Sequence, residues 1–172
     1  MTGKTILTTN RLVIKEFTIK DAPFILELVN TEDWIQHIGD RKVRTLEDAA
    51  FFIKNNLISS YAKHNFGLWG MELISTNVCI GMCGLVNRES LDDIDIGFAL
   101  LPSYYRNGYA FEAAQATLGY AYNELQFSKV VGITSKDNFS SIQLLIKLGM
   151  QHEKSITLSE NDVVELYSPS KN

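Results

Sequence analysis

Residues Arg11–Phe17 (RLVIKEF) alternate apolar and charged side chains, the period-two pattern of a half-buried strand. Thr18, with Asp21 three positions on, makes a capping arrangement, and Phe24, Ile25, Leu28 and Val29 carry an apolar helical stripe onward. After the polar and aromatic stretch Thr31–Gly39, Thr45 and Asp48 open a second helix with Leu46, Ala49, Ala50, Ile53, Leu57 and Tyr61 at helical spacing. Phe66–Leu73 and Val78–Val86 are apolar strands joined as a hairpin by Ile74–Asn77. Beyond the acidic link Glu89–Asp93 comes another strand, Ile94–Leu100, which Pro102 stops.

Gly108 precedes the clearest helix of the chain, where Ala110, Ala113, Ala114, Thr117, Leu118, Ala121, Tyr122 and Leu125 keep to one face. Lys129–Ser135 reads as a buried strand and Asn138–Leu148 as a short helix closed by Gly149. A final strand pair, Gln151–Leu158 and Val163–Tyr167, flanks the turn Ser159–Asp162. The order is βααβββαβαββ, an α/β (α+β) arrangement that closes as a mixed sheet with helices on both sides. No linker or repeat interrupts the 172 residues, so residues 1–172 are expected to form one domain.

Composition narrows the function classes. A net charge of −4 gives no basic face on average, which argues against a nucleic-acid partner. No apolar run approaches the ~20 residues that span a bilayer, so a cytoplasmic protein without a membrane partner is expected. Cys79 and Cys83, four apart on one strand, would lie roughly 13 Å apart, beyond disulfide reach. They read as small fillers on one strand face, and no histidine stands near them at a metal-ligand spacing, so no metal is expected.

The strand–Pro–loop–Gly–helix unit at residues 94–113 carries the candidate chemistry. A helix start offers unpaired N–H groups and about half a positive charge. The loop Ser103–Asn107 adds a guanidinium and further backbone donors, and Gly108 admits a ligand closely. Together these suit a phosphate or pyrophosphate, although a plain strand–helix connection would use the same residues. Neither a GK[ST] loop nor a GxGxxG run is present, which speaks against Walker-type and dinucleotide sites.

The run Ile94–Ala113 (IDIGFALLPSYYRNGYAFEA) resembles the central motif of the GNAT acetyltransferase superfamily, in particular its Rim-type branch of ribosomal-protein N-acetyltransferases. Asn138–Met150 (NFSSIQLLIKLGM) is similar to a second family motif, and Thr9–Ala22 (TNRLVIKEFTIKDA) resembles that branch's opening. The resemblance implies a mostly antiparallel sheet flanked by helices and acetyl-CoA as acyl donor. It implies that the backbone of Phe98, Ala99 and Leu100 pairs with the pantetheine arm. Arg106, Asn107, Gly108, Tyr109, Ala110 and Phe111 would then wrap the pyrophosphate. Asn138 would bond the cofactor arm with Ser141 close by; as a helix N-cap with Ser141 at N3, Asn138 has a structural role open to it as well. Leu145 stands where many family members carry a tyrosine that protonates the leaving thiolate, which leaves Ser141, another group or water for that step. Dimers are common in the family, so the resemblance makes a homodimer one possible assembly.

The implied reaction is direct attack of an amine on the thioester, with an N–H of Ala99 or Leu100 steadying the oxyanion. Asp95 is the first candidate for the base and Glu72 the weaker one; Asp95 can equally belong to a solvated acidic run with Glu89, Asp92 and Asp93. Acidic residues at an acceptor mouth would favour a cationic amine, such as a peptide N-terminus or a polyamine. Trp34 and Tyr167 could line an acceptor groove or belong to the core. Three readings stand: acetylation of a protein N-terminus, acetylation of a small amine (polyamine, amino acid or antibiotic), and a non-catalytic acyl-CoA-binding module.

Overall fold

A computed structural model describes residues 3–159 and 162–170. The chain begins with a hairpin of β1 (Thr5–Thr8) and β2 (Leu12–Lys15). Six short helical segments follow. A 3₁₀ turn, Ile19–Asp21, leads into α1 (Ala22–Leu28) and then α2 (Glu32–His37). After a loop, α3 (Leu46–Phe52) runs through a π-helical stretch, Ile53–Ile58, into α4 (Ser59–His64). Next come β3 (Leu68–Leu73), β4 (Cys79–Val86), β5 (Ile94–Leu100), α5 (Tyr109–Asn123), β6 (Val130–Thr134), α6 (Phe139–Lys147), β7 (Met150–Ser159) and β8 (Asp162–Pro169).

The eight strands form one sheet in the order β1-β2-β3-β4-β5-β6-β8-β7. Every neighbouring pair is antiparallel except β5 and β6. This is the mixed, mostly antiparallel sheet expected from the sequence. Each face carries its own core. Trp69, Met71, Cys83, Leu85, Ile96 and Leu100 meet the small inner face of α5, formed by Ala113, Ala114, Leu118 and Ala121. On the other face Met82 and Leu101 pack with Ile25, Leu28, Trp34, Ala49, Ile53 and Leu57 from the first helices. Trp34 and Tyr167 both belong to these cores rather than to a groove.

Two elements escape the periodicity. β1 is a four-residue edge strand, too short to show an alternation, and it exists because Leu7 and Thr8 pair with Ile14 and Val13. The six-residue α2 is likewise too short for a stripe. Thr31 caps it, its hydroxyl accepting from Trp34 N, and Glu32 and Asp33 stand in its first turn. The expected second helix is present, but its middle widens where Asn55 and Asn56 side chains donate to Phe51 O and Phe52 O. Glu160 and Asn161, the centre of the expected last turn, lie outside the described residues.

The two cysteines do not share a face. β4 skips a residue against β3, so Met71 pairs with Gly81 while Glu72 pairs with Cys79. That bulge turns Cys79 toward the first helices, and Cys83 stays under α5 beside Thr117.

Leu145 of α6 is fully buried and lies directly over Gly132 of β6, where an added Cβ would come within 2.4 Å of the leucine's Cδ2. Leu145→Ala should therefore cost about 2–5 kcal/mol of stability, read as a lowered urea midpoint with an unchanged slope.

Candidate active site

The site begins where two strands part. β5 and β6 lie side by side only at Ile94 with Val130 and Asp95 with Val131. β5 then stays with β4 as far as Leu100, which pairs with Gly81, whereas β6 turns to β8 from Gly132 onward. A wedge opens between them. Leu101 N donates to Ile80 O at 2.9 Å. Strand alternation therefore turns the N–H of Ala99 toward β4 and those of Phe98 and Leu100 into the wedge.

The wide end of the wedge meets the start of α5. Gly108 has φ 79° and Arg106 φ 60°, so both sit in the left-handed region and curl the loop onto the helix. The N–H groups of Tyr109, Ala110 and Phe111 open the helix without helical acceptors. Arg106 and Asn107 are exposed here, and Asn107 steadies the loop by donating from Nδ2 to Tyr105 O.

A residue with no role in the sequence reading fixes this loop. Arg11, at the tip of the β1–β2 hairpin, donates from Nη1 to Asn107 O at 2.9 Å and from Nε to Glu112 at 2.6 Å. Its guanidinium also lies 4.4 Å from the centre of the Tyr109 ring. Glu112 accepts from Thr9 Oγ1 and from Arg11 N as well. Burial pushes the Glu112 carboxyl up, but these hydrogen bonds outweigh it and hold the group below the ordinary glutamate range. Lys147 approaches from α6, its Nζ 4.3 Å from the Phe111 ring centre. Nothing in the spacing of Arg11, Glu112 and Lys147 announces this meeting of three elements.

At the start of α6, Asn138 Oδ1 accepts from Ser141 N at 3.1 Å, so the N-cap role is realised. Ser141 is buried, and its hydroxyl makes no hydrogen bond among the described residues. Leu145, one turn further, offers no proton.

Asp95 sits at the narrow end of the wedge, 1% exposed. It is not part of a solvated acidic run. Arg88 donates from Nε to its Oδ1 at 2.9 Å, and Asp93 is instead paired with Lys129. Burial raises the Asp95 carboxyl to about 6, with Arg88 pulling in the opposite direction. Glu72 is also buried, and Lys15 Nζ lies 2.6 Å from its Oε1. α2 belongs to the face opposite α5, where Trp34 joins the second core, and its last residue reaches β6's end: His37 Nδ1 meets Ser135 Oγ at 3.3 Å. The other two histidines stand elsewhere, His64 against Phe66 and His152 beside Glu165.

A mostly antiparallel sheet with one parted parallel pair, closed by a helix start, is the scaffold of an acyl-transfer enzyme. The chain matches the family model of the acetyltransferase (GNAT) domain over residues 11–151 and belongs to that family. It is an acetyltransferase. It is 28% identical over 149 residues to the N-acetyltransferase YoaA of Bacillus subtilis (strain 168), covering 86% of this chain and 84% of that one. An acetyltransferase from Agrobacterium tumefaciens str. C58 shares the fold at a TM-score of 0.82, with 20% identity over 99% of this chain and 96% of that one. RimL, a ribosomal L7/L12 alpha-N-protein acetyltransferase solved with coenzyme A, shares it at a TM-score of 0.82, with 17% identity over 96% and 97% of the two chains.

The Arg11–Glu112 contact yields a direct test. Glu112→Gln should cost about 1–3 kcal/mol at pH 7. Because the native carboxyl is held low, that stabilisation is present above the ordinary glutamate range and is lost as pH falls through the native value. Urea titrations at pH 7 and pH 3 should therefore show a gap between parent and variant that closes in acid.

Proposed function

We propose that the chain works as one catalytic unit that transfers the acetyl group of acetyl-CoA to a primary amine. The observation that carries this reading is the wedge itself: free strand donors along one wall, a helix start at its mouth and a buried carboxylate at its root. The residues fit the donor. Gly108 takes φ 79° as the residue that precedes the helix, a left-handed conformation that glycine adopts without strain. The N–H groups of Tyr109, Ala110 and Phe111, with Arg106 and Asn107 beside them, suit a pyrophosphate. The edge of β5 at Phe98–Leu100 suits an amide-bearing arm laid against it as an added strand, with Asn138 and Ser141 on the opposite side.

Acetyl-CoA, when bound, supplies an electrophilic thioester. Along β5, Phe98 is roughly 10 Å from Asp95 and Leu100 roughly 16 Å, at about 3.3 Å per residue. The Phe98 N–H is therefore the nearer wedge-facing donor for the charge that builds on the carbonyl oxygen, and Leu100 is better placed to hold the arm. Asp95 acts as base, taking the proton of the incoming ammonium through bridging water because of that separation. The Ser141 hydroxyl is free to protonate the departing sulfur. RimL's acceptor is a protein N-terminus; a peptide amine and a small amine both remain substrates on this reading.

At a hundredfold excess over Kd, acetyl-CoA should add about 2.7 kcal/mol of stability. Absence of any thermal shift with both CoA and acetyl-CoA removes the cofactor assignment. Thiol release measured across peptides and small amines tests the transfer itself. With Asp95 as base its ionised form is the active one, so activity falls as pH drops through about 6 and is full above it. Asp95→Asn should abolish that acid limb along with most of the rate; a variant with full activity from pH 6 to 9 would falsify the role. Arg88→Gln removes the cation that favours the carboxylate and should move the limb to higher pH by on the order of one pH unit.

A further inference from the structure

Arg11 reaches the start of α5 from the tip of the β1–β2 hairpin, and each part of its guanidinium has a separate setting. Nε donates to Glu112 Oε2 at 2.6 Å and Nη1 donates to Asn107 O at 2.9 Å. The flat face rests on Tyr109, 4.4 Å from the ring centre. Nη2 donates to no acceptor among the described residues, and it stands 3.4 Å from the point a Cβ on Gly108 would occupy. Its N–H groups are therefore unspent beside the residue that precedes the helix. The side chain is 45% exposed, so a ligand can reach it. Glu112 is itself held, because its other oxygen accepts from Thr9 Oγ1 and from Arg11 N. A long, flexible side chain is thus fixed in one orientation with donors left over.

Charge points the same way. Arg106 is exposed in the loop, and Lys147 holds its Nζ 4.3 Å from the Phe111 ring centre. Among the described residues Glu112 is the one carboxylate paired with any of these three cations. The surplus is positive, at a helix start that is itself partly positive. A guanidinium with free N–H groups takes phosphate oxygens in charge-assisted hydrogen bonds. We infer that Arg11 is a donor-specificity residue, its Nη2 bonding a phosphate oxygen of the acyl donor. The protein thereby selects phosphate-bearing thioesters over the same thioester without phosphate. This rests on the acetyl-transfer reading above and adds to it a side chain from a remote strand pair. The edge hairpin, which supports the loop, becomes part of the donor site.

A truncated donor tests the assignment. Thiol release would be followed with acetyl-CoA and with S-acetylpantetheine, which has the same thioester and arm and no phosphate. Arg11→Gln should lower kcat/KM for acetyl-CoA about tenfold or more, expressed in KM, and that for S-acetylpantetheine less than about twofold. A variant that merely loosened the loop would also spare the truncated donor, so salt separates the two cases. CoA affinity would be measured by calorimetry for the wild-type protein and Arg11→Gln from about 0.1 to 1 M salt, where the screening length falls from about 10 Å to about 3 Å. The gap between them should close as salt rises, whereas a prop made of hydrogen bonds would leave it constant. Arg11→Lys keeps the charge and loses the fork. It should fall between the two with acetyl-CoA, and it carries the test should Arg11→Gln fail to fold. Equal losses with both donors, or a gap unmoved by salt, overturn the role of Arg11 and leave the transfer reading standing. No CoA binding by the wild-type protein, with no thiol release from acetyl-CoA and any acceptor, overturns both.

Discussion

The candidate site of this protein depends on β5 and β6 parting after a single short stretch of parallel pairing. A sheet normally satisfies each strand's backbone groups with its neighbours. Here β4 occupies one edge of β5 along its whole length, and β8 takes β6 away from the other edge after Val131. The N–H groups of Phe98 and Leu100 are left facing a wedge instead of a strand. An extended ligand with its own amide groups is the natural substitute. The backbone hydrogen-bond accounting of the fold thus leaves an unpaired strand edge before any side chain is considered.

The wedge has chemically different ends. Its mouth is governed by backbone: a helix start preceded by two left-handed residues, Arg106 and Gly108. Backbone conformation is soft, so the loop needs an outside support. Arg11 provides it by tying the β1–β2 hairpin to Asn107, Tyr109 and Glu112. The root of the wedge is governed by burial. Taking Asp95 out of water raises its carboxyl, and the half-buried Arg88 stops that rise at about 6. A carboxylate left solvated would be a weaker base, and one buried without a cation would hold its proton near neutrality. The balance between those two effects sets where the Asp95 carboxyl titrates.

Core packing accounts for the departure at Leu145. The position lies over Gly132, where only an apolar side chain meeting a bare Cα is accommodated as observed. The leucine contributes to the core that joins α6 to the sheet, and Ser141, one turn before it, is buried as well.

Much was legible in the residue order. The alternation of RLVIKEF, the long small-faced helix after Gly108 and the two motif runs identified the strands, the main helix and the family, because period and turn chemistry are local properties of the chain. β1 and α2 were not legible, since four and six residues are too few to show a period and both depend on partners distant in sequence. The bulge that puts Cys79 and Cys83 on opposite faces is equally a product of pairing. The same division holds at the site. Sequence alone pointed to the strand–loop–helix unit at residues 94–113 and to the carboxylate near the strand start. Only the tertiary structure decided that Asp95 is buried against Arg88, that Arg11 anchors the loop from a remote hairpin, and that the N–H groups of Phe98 and Leu100 face the wedge. Burial, ion pairing and the direction of a backbone donor are fixed by what packs alongside, and the linear order does not contain that.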